Sequence, residues 1–411
     1  MNDKLNLPNR GKEFGITGAP PGAVLHRRFP TVAWLRQGAR RNVPRFAFEY
    51  MDGGAGTDGG IARNWNALDA VELVPRYGVT TALPPIDCEL FGRRYAAPIG
   101  IAPMGGPALV WPGADEYLAR AAQEARIPYT LGVVGTASIE RIAEVAPDVF
   151  WFQLYRASRN EHAIGLDLVK RAEAAGAHVL MLTLDVPVRT VRTREVVSGV
   201  TTPFKPDLRM LASIATSPGW LLSLLRNGMP RFVNLKPYVG ARASVDDVAA
   251  FARREMGGAF TWEEVERYRD RWKRPLVVKG ILHPDDAARA VSLGVDGIVV
   301  SNHGGRQVEG LPAPIDALPA IAAAVGNRAT VMMDSGIRSG LDVVRAGALG
   351  AQAAFAGKAF LWSLGALGAR GPAHAIDLFV SEIRAALGQI GARSLAEARS
   401  VMVRHPGRLQ F

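Results

Sequence analysis

Eight short apolar runs alternate with helical stretches along most of the chain, and this alternation restricts the possible folds more than any other feature. The runs are rich in β-branched residues and too short for ordinary helices. They lie at 99–103, 127–133, 149–154, 179–184, 276–279, 298–301, 330–334 and 353–357. The intervening helical patterns lie at 114–125, 139–146, 162–175, 262–272, 284–293, 315–325 and 339–348. Eight strands alternating with helices predict an α/β fold, a (β/α)8 TIM barrel.

An open, doubly wound sheet is the alternative to a barrel. It seldom needs eight uninterrupted units, and no Gly-x-Gly-x-x-Gly motif follows the first apolar run. Residues 1–28 are expected to form an N-terminal arm, and residues 29–411 a single domain that begins with a helical segment. That segment is interrupted by Asp52-Gly-Gly-Ala-Gly56, a strong helix breaker.

Composition excludes several classes of function. The single cysteine, Cys88, rules out an intrachain disulfide and a cysteine-cluster metal site, so no metal is predicted and a cytoplasmic setting fits. The net charge of +11 would suit nucleic acid, an anionic membrane or an acidic substrate. However, the arginines are spread along the chain without a basic stripe or interleaved aromatics, so no nucleic-acid partner is predicted. Residues 1–21 contain no apolar segment of signal-peptide length.

Chemically active side chains follow the predicted strands, at the end where barrels build active sites. The motif Ser301-Asn-His-Gly-Gly-Arg-Gln307 follows the sixth strand, and it combines a potential base, His303, with a carboxylate-binding cation, Arg306. A glycine-rich segment, Asp334-Ser-Gly-Ile-Arg338, follows the seventh strand and predicts a phosphate site together with Gly357-Lys358. Other strand ends carry Met104, Gln153, Tyr155, Thr183, Asp185 and Lys279.

One crossover is much longer than the others. Residues 196–260 contain two apolar stretches, within 208–216 and 220–225, with Arg226 and Arg231 next to them. Each stretch is too short to span a bilayer. They either lie in a membrane interface, with the arginines facing lipid phosphates, or form a lid or subunit contact over the active site. We therefore expect a lid or a peripheral membrane contact through 208–231.

Five motifs carry a resemblance to a known family: 301–307, Phe152-Gln-Leu-Tyr155, Leu182-Thr-Leu-Asp185, Val278-Lys-Gly280 and 334–338. Together they resemble the FMN-dependent L-2-hydroxy acid dehydrogenases and oxidases, a family that includes L-lactate dehydrogenase, mandelate dehydrogenase and glycolate oxidase. The resemblance covers about 29–404. It implies FMN as cofactor, a small 2-hydroxy acid as substrate, a 2-oxo acid as product and a homotetramer. His303 would be the base, and the hydride equivalent would pass to flavin N5.

The resemblance also implies roles for individual positions. On the substrate side it implies a base, its carboxylate partner, two carboxylate-binding arginines and two tyrosine hydroxyls: His303, Asp185, Arg306 with Arg192, and Tyr50 with Tyr155. Lys279 would lie at the flavin N1/O2 edge, where a cation favours reduced flavin. Around the flavin it implies Ala102, Pro103, Met104, Gly105, Gly132, Gln153, Thr183 and Ser301. Around the ribityl phosphate it implies Asp334, Ser335, Gly336, Arg338, Gly357 and Lys358.

Three departures from the family pattern qualify these expectations. Lys358 replaces the usual arginine, so the phosphate would meet a point charge. Gly132-Val-Val134 replaces a serine and a bulky aromatic, which predicts a larger pocket suited to an aromatic or longer-chain acid, with lactate as another candidate. The unusual 188–191 leaves Arg189 and Arg194 as alternatives to Arg192.

The sequence leaves two alternatives for the electron acceptor. Gly105 and the long crossover favour a membrane-associated dehydrogenase on the inner face of the cell membrane, with a quinone or another acceptor. A soluble oxidase that uses O₂ and forms H₂O₂ is the alternative. A barrel that binds a phosphorylated ligand without turnover is a third reading, which the convergence of His303, Asp185 and Lys279 disfavours.

Overall fold

The computed structural model describes residues 23–78, 83–188, 190–200, 206–240 and 242–411. Its strands are β1 (Glu72–Val74), β2 (Cys88–Leu90), β3 (Arg93–Tyr95), β4 (Ile99–Ile101), β5 (Tyr129–Gly132), β6 (Phe150–Leu154), β7 (Val179–Thr183), β8 (Leu276–Ile281), β9 (Gly297–Val300), β10 (Thr330–Met333), β11 (Ala353–Ala356) and β12 (Met402–Arg404).

The α-helices of the described residues flank these strands. They are α1 (Ala23–Arg28), α2 (Val32–Asn42), α3 (Arg45–Asp52), α4 (Gly59–Asp69), α5 (Ala114–Ala125), α6 (Ile139–Val145), α7 (Arg159–Ala174), α8 (Thr193–Val197), α9 (Leu208–Ala215), α10 (Pro218–Asn227), α11 (Val245–Glu255), α12 (Trp262–Arg271), α13 (Pro284–Ser292), α14 (Pro314–Val325), α15 (Gly340–Ala348), α16 (Lys358–Leu367), α17 (Gly371–Ile390) and α18 (Leu395–Ala398). Short 3-10 turns lie at Pro107–Leu109, Lys236–Tyr238, His303–Gly305 and Gly368–Arg370.

Strands β4 to β11 close into a parallel barrel, in which β11 pairs back with β4. Each of the eight apolar runs overlaps one of these strands, so the predicted barrel is confirmed. Strands β6 and β7 are buried at every position. Burial on both faces is the reason that these strands are continuous apolar runs and do not alternate.

A hairpin of β2 and β3 packs against the amino-terminal end of the barrel. Phe91 at its turn and Tyr95 in β3 contact Trp151 near the start of β6, with ring centroids 5.6 and 6.3 Å apart. The indole of Trp151 donates a hydrogen bond to the Tyr95 hydroxyl, 3.0 Å away. This end of the barrel is therefore packed with aromatic side chains, and the cavity lies at the carboxyl ends of the strands.

The segments outside the barrel support its open end. Helix α3 carries Tyr50, and α2 packs on α16, which follows β11. In the segment expected to be an arm, residues 23–28 form α1, and residues 1–22 lie outside the description. Strands β1 and β12 pair antiparallel and join the helical segment to the C-terminal end of the chain.

The long crossover packs on the same open end. Trp220 of α10 is buried, contacts Phe46 of α3 edge to face at 5.8 Å, and donates to the carbonyl of Leu109. Ser223 donates to the carbonyl of Pro112 at 2.9 Å. Among the described helices, no single one is long and apolar enough to cross a bilayer. Helices α9 and α10 together have the required length and apolar composition, but the chain bends by 93° between them.

Candidate active site

A cavity of about 910 Å³ lies at the carboxyl ends of the barrel strands. Its floor is formed by strand ends and the loops after them, and its roof by the crossover. Most of the predicted site residues line it: Tyr50, Ala102, Pro103, Met104, Gly105, Tyr155, Thr183, Arg192, Lys279, His303, Arg306, Asp334, Ser335, Gly336, Arg338, Gly357 and Lys358. The other four, Gly132, Gln153, Asp185 and Ser301, do not line it. Each of them contacts a residue that does.

His303 and Asp185 form a hydrogen-bonded pair in the floor. The Nδ1 atom of His303 lies 2.8 Å from Oδ1 of Asp185, and its Nε2 atom lies 3.4 Å from the Tyr155 hydroxyl. Burial lowers the pKa of His303, although the Asp185 carboxylate partly opposes this. The imidazole is therefore neutral at neutral pH, and a carboxylate is in position to stabilise its protonated form.

Lys279 joins this pair to the far side of the site. Its ammonium lies 3.7 Å from Asp185 and 3.1 Å from Asp334, and it donates to the Ser301 hydroxyl at 2.7 Å. Burial favours the neutral amine, but the two carboxylates outweigh it and raise the pKa of Lys279. Burial likewise opposes ionisation of Asp185, but His303 and Lys279 hold the pKa of its carboxyl below the usual range. The floor is thus a network of paired charges.

The backbone is strained where the network requires close approach. Gly280 has φ +103, and a Cβ atom there would lie 2.4 Å from the Cβ of Asp185. His303 itself has φ +59, in the left-handed region that most side chains avoid. Its backbone N–H donates to Ser301, and that of Gly304 donates to Ser335. Such strain persists only where surrounding contacts fix it, which is typical of functional sites.

Two arginines, Arg306 and Arg192, lie together at one side of the cavity. Arg306 donates from Nη1 to the carbonyls of Tyr50 and Gly53, each at 2.8 Å, and its Nη2 donates to Glu195 at 2.7 Å. Arg192 reaches the same Glu195 oxygen at 3.3 Å. Burial and the charge of Arg192 lower the pKa of Arg306. A guanidinium stays charged despite such a shift, so the two cations form a carboxylate-binding corner.

The alternatives to Arg192 differ in placement. Arg194 points to α3 and its following loop, where it pairs with Glu49, Asp52 and Asp58 at 2.5, 2.9 and 2.9 Å. Its charge is therefore engaged away from the cavity. Arg189 lies outside the described residues. Of the two described arginines, Arg192 is the one beside Arg306.

The two tyrosines are buried hydroxyl donors. The Tyr50 hydroxyl donates to the carbonyl of Gly105 at 2.5 Å, and the Arg306 guanidinium stacks over its ring at 5.4 Å. The Tyr155 ring lies nearly parallel to the His303 ring, with centroids 6.3 Å apart. Burial raises the pKa of both phenols. Both hydroxyls therefore remain protonated and can donate hydrogen bonds.

The other side of the floor suits a flat ring. Gln153 and Thr183 are buried and joined by a 2.9 Å hydrogen bond from the Gln153 amide to the Thr183 hydroxyl. A Cβ atom on Gly132 would lie 2.9 Å from the carbonyl oxygen of Met104, so only glycine allows the loop after β4 to pack there. This arrangement leaves the 102–105 backbone and the Thr183 hydroxyl facing the cavity.

The loop after β10 lines another part of the cavity. Ser335 and Gly336 both have positive φ, +75 and +90, a backbone conformation that glycine adopts readily and that forms a tight turn here. The Arg338 guanidinium lies over the Trp65 ring at 5.0 Å and pairs with Asp69 at 3.0 Å. Cations and backbone N–H groups at the end of a late barrel strand bind a phosphate group well.

Lys358 is oriented differently from the expectation of a simple phosphate ligand. Its ammonium donates to the carbonyls of Met51, Asp52 and Gly53 at the end of α3, at 3.3, 2.8 and 2.7 Å. Burial and the neighbouring Arg306 lower its pKa well below the usual value. The carbonyl of Gly53 therefore accepts from both Lys358 and Arg306, so α3 connects the two ends of the site.

The sequence analysis missed several residues of the site. Glu195, between the two arginines, follows Arg192 by three positions, which is the available signal. Asn302 and Asn64 exchange amide hydrogen bonds at 2.9 and 2.6 Å and connect the His303 loop to α4. Glu309 accepts from the backbone of Thr57 and Gly59. The last two contacts connect distant segments and have no local sequence signal.

The residues of the floor, taken together, fit a flavin mononucleotide. A buried cation beside a flat, glycine-lined recess suits the isoalloxazine, and the turn at 335–336 with Arg338 suits its phosphate. Fold and site together define a flavin-dependent oxidoreductase built on a (β/α)8 barrel. The comparisons with known proteins define the family more narrowly.

A family model described as FMN-dependent dehydrogenase matches residues 39–405. An L-lactate dehydrogenase of Caulobacter vibrioides (strain NA1000 / CB15N) is 38% identical over 370 residues, which are 90% of this chain and 96% of that enzyme. An L-lactate dehydrogenase of Pseudomonas syringae pv. syringae (strain B728a) is 37% identical over 363 residues, 88% of this chain and 95% of that enzyme. The chain therefore belongs to the FMN-dependent dehydrogenase family.

Solved structures agree with this assignment. The monotopic membrane protein (S)-mandelate dehydrogenase superposes with a TM-score of 0.84 at 33% identity, over 89% of this chain and 96% of that one. A mandelate oxidase variant with 2-hydroxy-phenylacetamide gives a TM-score of 0.75 at 34% identity, over 92% and 99%. The expected enzyme class, an FMN-dependent 2-hydroxy acid dehydrogenase or oxidase, is confirmed, as are its cofactor and fold. The homotetramer stays a prediction.

Proposed function

We propose that the protein oxidises an L-2-hydroxy acid with an aromatic or longer apolar side chain to the 2-oxo acid. The observation that carries this proposal is the combination, in one cavity, of the His303–Asp185 pair with the Arg192–Arg306 corner. A base and a carboxylate-binding corner together recognise both functional groups of a 2-hydroxy acid. FMN, when bound, supplies the two-electron acceptor, and the residues that would hold it are those of the flat recess and the 335–338 loop.

The protein side chains have separate roles in this reaction. Arg192 and Arg306 bind the substrate carboxylate, and Tyr50 contributes a hydroxyl beside them. The neutral His303 accepts a substrate proton at Nε2, the nitrogen that faces Tyr155. Asp185 then stabilises the imidazolium through Nδ1. The protonated Tyr155 hydroxyl donates to the oxygen that becomes the ketone.

The preference for a large apolar side chain rests on the apolar part of the cavity lining, in the roof and in the loops after β4 and β5. This part includes Leu109, Val134, Ile214, Leu224, Phe232 and Met256. Val134 is smaller than the aromatic residue expected near this position from the family resemblance. An aromatic or longer aliphatic group gains free energy by burial among these side chains, whereas the methyl group of lactate would fill less of the space.

The electron acceptor is proposed to be a quinone, reached from the membrane. Helices α9 and α10 expose Leu208, Leu211, Leu222 and Leu225, and Arg226 lies in the last turn of α10. Leu208 is 85% and Leu225 76% exposed. Exposed leucines flanked by arginines suit peripheral attachment to an anionic leaflet, on the inner face of the cell membrane. The similarity to a monotopic mandelate dehydrogenase supports this.

An O₂-using oxidase that forms H₂O₂ is the second candidate. It is favoured by the similarity to a mandelate oxidase over 92% of the chain. The two candidates share the oxidation of the hydroxy acid and differ only in the acceptor. Reoxidation of the reduced flavin therefore distinguishes them.

The test is an anaerobic titration of the purified, FMN-loaded protein with L-lactate, L-mandelate and L-2-hydroxyoctanoate. We expect L-mandelate or L-2-hydroxyoctanoate to bleach the flavin absorbance at lower concentration than L-lactate. Readmitted air should restore the colour slowly, and a soluble quinone analogue rapidly. Failure of all three acids to bleach the flavin would contradict the proposed function, and rapid recovery in air would favour the oxidase.

A further inference from the structure

The carboxylate-binding corner already holds a carboxylate from the chain itself. One oxygen of Glu195, Oε1, accepts from Nη2 of Arg306 at 2.7 Å and lies 3.3 Å from Nη1 of Arg192. The Glu195 side chain is only 16% exposed and lines the cavity. Both cations that the proposed function assigns to the substrate thus share an internal anion.

Neither Arg306 nor the helix that carries Glu195 depends on this contact for its position. The other amino group of Arg306 is held by the carbonyls of Tyr50 and Gly53. Helix α8 is attached to α3 by Arg194, which pairs with three carboxylates. Removal of the Glu195 charge would therefore leave these attachments in place, and it would leave the two guanidinium groups without a counterion.

The charges of the corner explain what this carboxylate does. Arg192 and Arg306 repel each other, and the repulsion is strong because the site is largely withdrawn from water. Glu195 offsets one of the two positive charges. A substrate carboxylate that enters the corner must share the arginines with Glu195 or displace it, and its binding is weakened accordingly.

We propose that Glu195 is an internal competitor for the Arg192–Arg306 corner, which weakens the binding of substrate and product carboxylates and promotes release of the 2-oxo acid. The inference rests on the proposed function, because it takes this corner as the substrate carboxylate site. Glu195 acts here through the arginines and takes no part in proton transfer.

The experiment measures ligand binding to the oxidised, FMN-loaded enzyme by the change in flavin absorbance. The probes are benzoylformate, an aromatic 2-oxo acid, and mandelamide, in which an uncharged amide replaces the carboxylate. In Glu195→Gln we expect benzoylformate to bind about tenfold more tightly and mandelamide to be unchanged, because only the carboxylate competes with Glu195. The KM for the hydroxy acid should fall as well.

The matched control is Glu140→Gln. Glu140 is another glutamate paired with an arginine, Arg171, but it lies on α6 and does not line the cavity. It should leave both ligands unaffected. If Glu195→Gln loses flavin or folds poorly, Glu195→Asp provides the measurement: its shorter side chain should reach the arginines less well and give a smaller tightening for benzoylformate.

The outcomes are distinguishable. Weaker binding of benzoylformate in Glu195→Gln would overturn the proposal, because it would mean that Glu195 positions the arginines for the ligand. Equal tightening of benzoylformate and mandelamide would also overturn it, since the effect would then be steric. Failure of the proposed function would be visible separately, in wild-type enzyme whose flavin no hydroxy acid reduces.

Discussion

The floor and the roof of the cavity differ in how their residues are held. In the floor, Lys279 lies between Asp185 and Asp334, and Asp185 also holds His303. Lys279 lies within β8 and the other groups follow β7, β9 and β10, and all four strands are buried almost throughout. Their positions are fixed by paired charges, hydrogen bonds and a strained backbone, so the floor is suited to chemistry that requires accurate placement.

The first part of the roof, from α8 to α10, is held by few buried side chains. Helix α8 has no buried residue, α9 buries only Met210, and α10 buries Trp220 and Ser223. Several of its leucines face outward. The difference suggests a division of roles: the floor determines the reaction, whereas the roof determines which substrates and surfaces the enzyme meets. Substitutions in the two regions should therefore change different measured quantities.

The largest effect is expected from Asp185→Asn in the floor. The change removes the carboxylate that stabilises the imidazolium of His303, so the rate of flavin reduction at saturating hydroxy acid should fall by a factor on the order of 10² to 10³. Anaerobic stopped-flow absorbance measures this rate. Glu140→Gln, which removes a carboxylate on α6 outside the cavity lining, is the control and should change it little.

The same variant should change the pH dependence. Asp185 raises the pKa of His303 against the effect of burial, so its removal lowers that pKa further, and the loss of reduction rate on acidification should move to lower pH. Because the pKa of Asp185 is lowered in the folded protein, its ionisation stabilises the wild type above the usual aspartate pKa, and this stability is lost as the pH falls. If the reduction rate falls at the same acidic pH in Asp185→Asn and in the wild type, His303 is not the titrating base.

A smaller effect, on a different quantity, is expected in the roof. Replacement of Leu222 and Leu225 with glutamine should weaken binding to vesicles that contain anionic lipid, by about tenfold, because two apolar side chains no longer enter the interface. Sedimentation with vesicles measures the bound fraction. The rate of flavin reduction by a soluble hydroxy acid should stay unchanged.

Leu83→Gln provides the control for this experiment. Leu83 is 60% exposed, comparable with the two roof leucines, but it lies before β2 and outside the crossover. It should not alter vesicle binding. Equal losses in the control and the roof variant would indicate general adsorption through exposed apolar groups, and unchanged binding in the roof variant would leave the crossover as a lid.

The floor could be predicted from sequence to a large extent, because local patterns specify it. Strands buried on both faces read as continuous apolar runs, and the residues that follow them meet at one end of a barrel. His303, Asp185 and Lys279 are each found in this way. The orientation of Lys358 toward α3 was not predictable, since it depends on carbonyls that are about 300 positions away in the chain.

The role of the roof could not be predicted from sequence, because it also depends on contacts between distant segments. The apolar stretches of α9 and α10 are compatible with a membrane face, a lid or a subunit contact, and only the fold shows that one side of this segment lines the cavity. Glu195 illustrates the same limit. Its spacing from Arg192 suggests a local ion pair, whereas its contact with Arg306 requires the loop after β9 to approach α8.

An effect of similar size, on substrate preference, is expected where floor and roof meet, at Val134. A Cβ atom placed on Gly105 would lie 2.9 Å from the Cγ2 atom of Val134, so this side chain borders the recess near Gly105. Val134→Phe should fill part of the side-chain pocket and shift the ratio of kcat/KM for L-mandelate over L-lactate about tenfold toward lactate. Val134→Ala should leave the preference for mandelate intact or increase it. If both variants move the ratio in the same direction, Val134 does not bound the pocket, and the substrate side chain must be accommodated by the crossover alone.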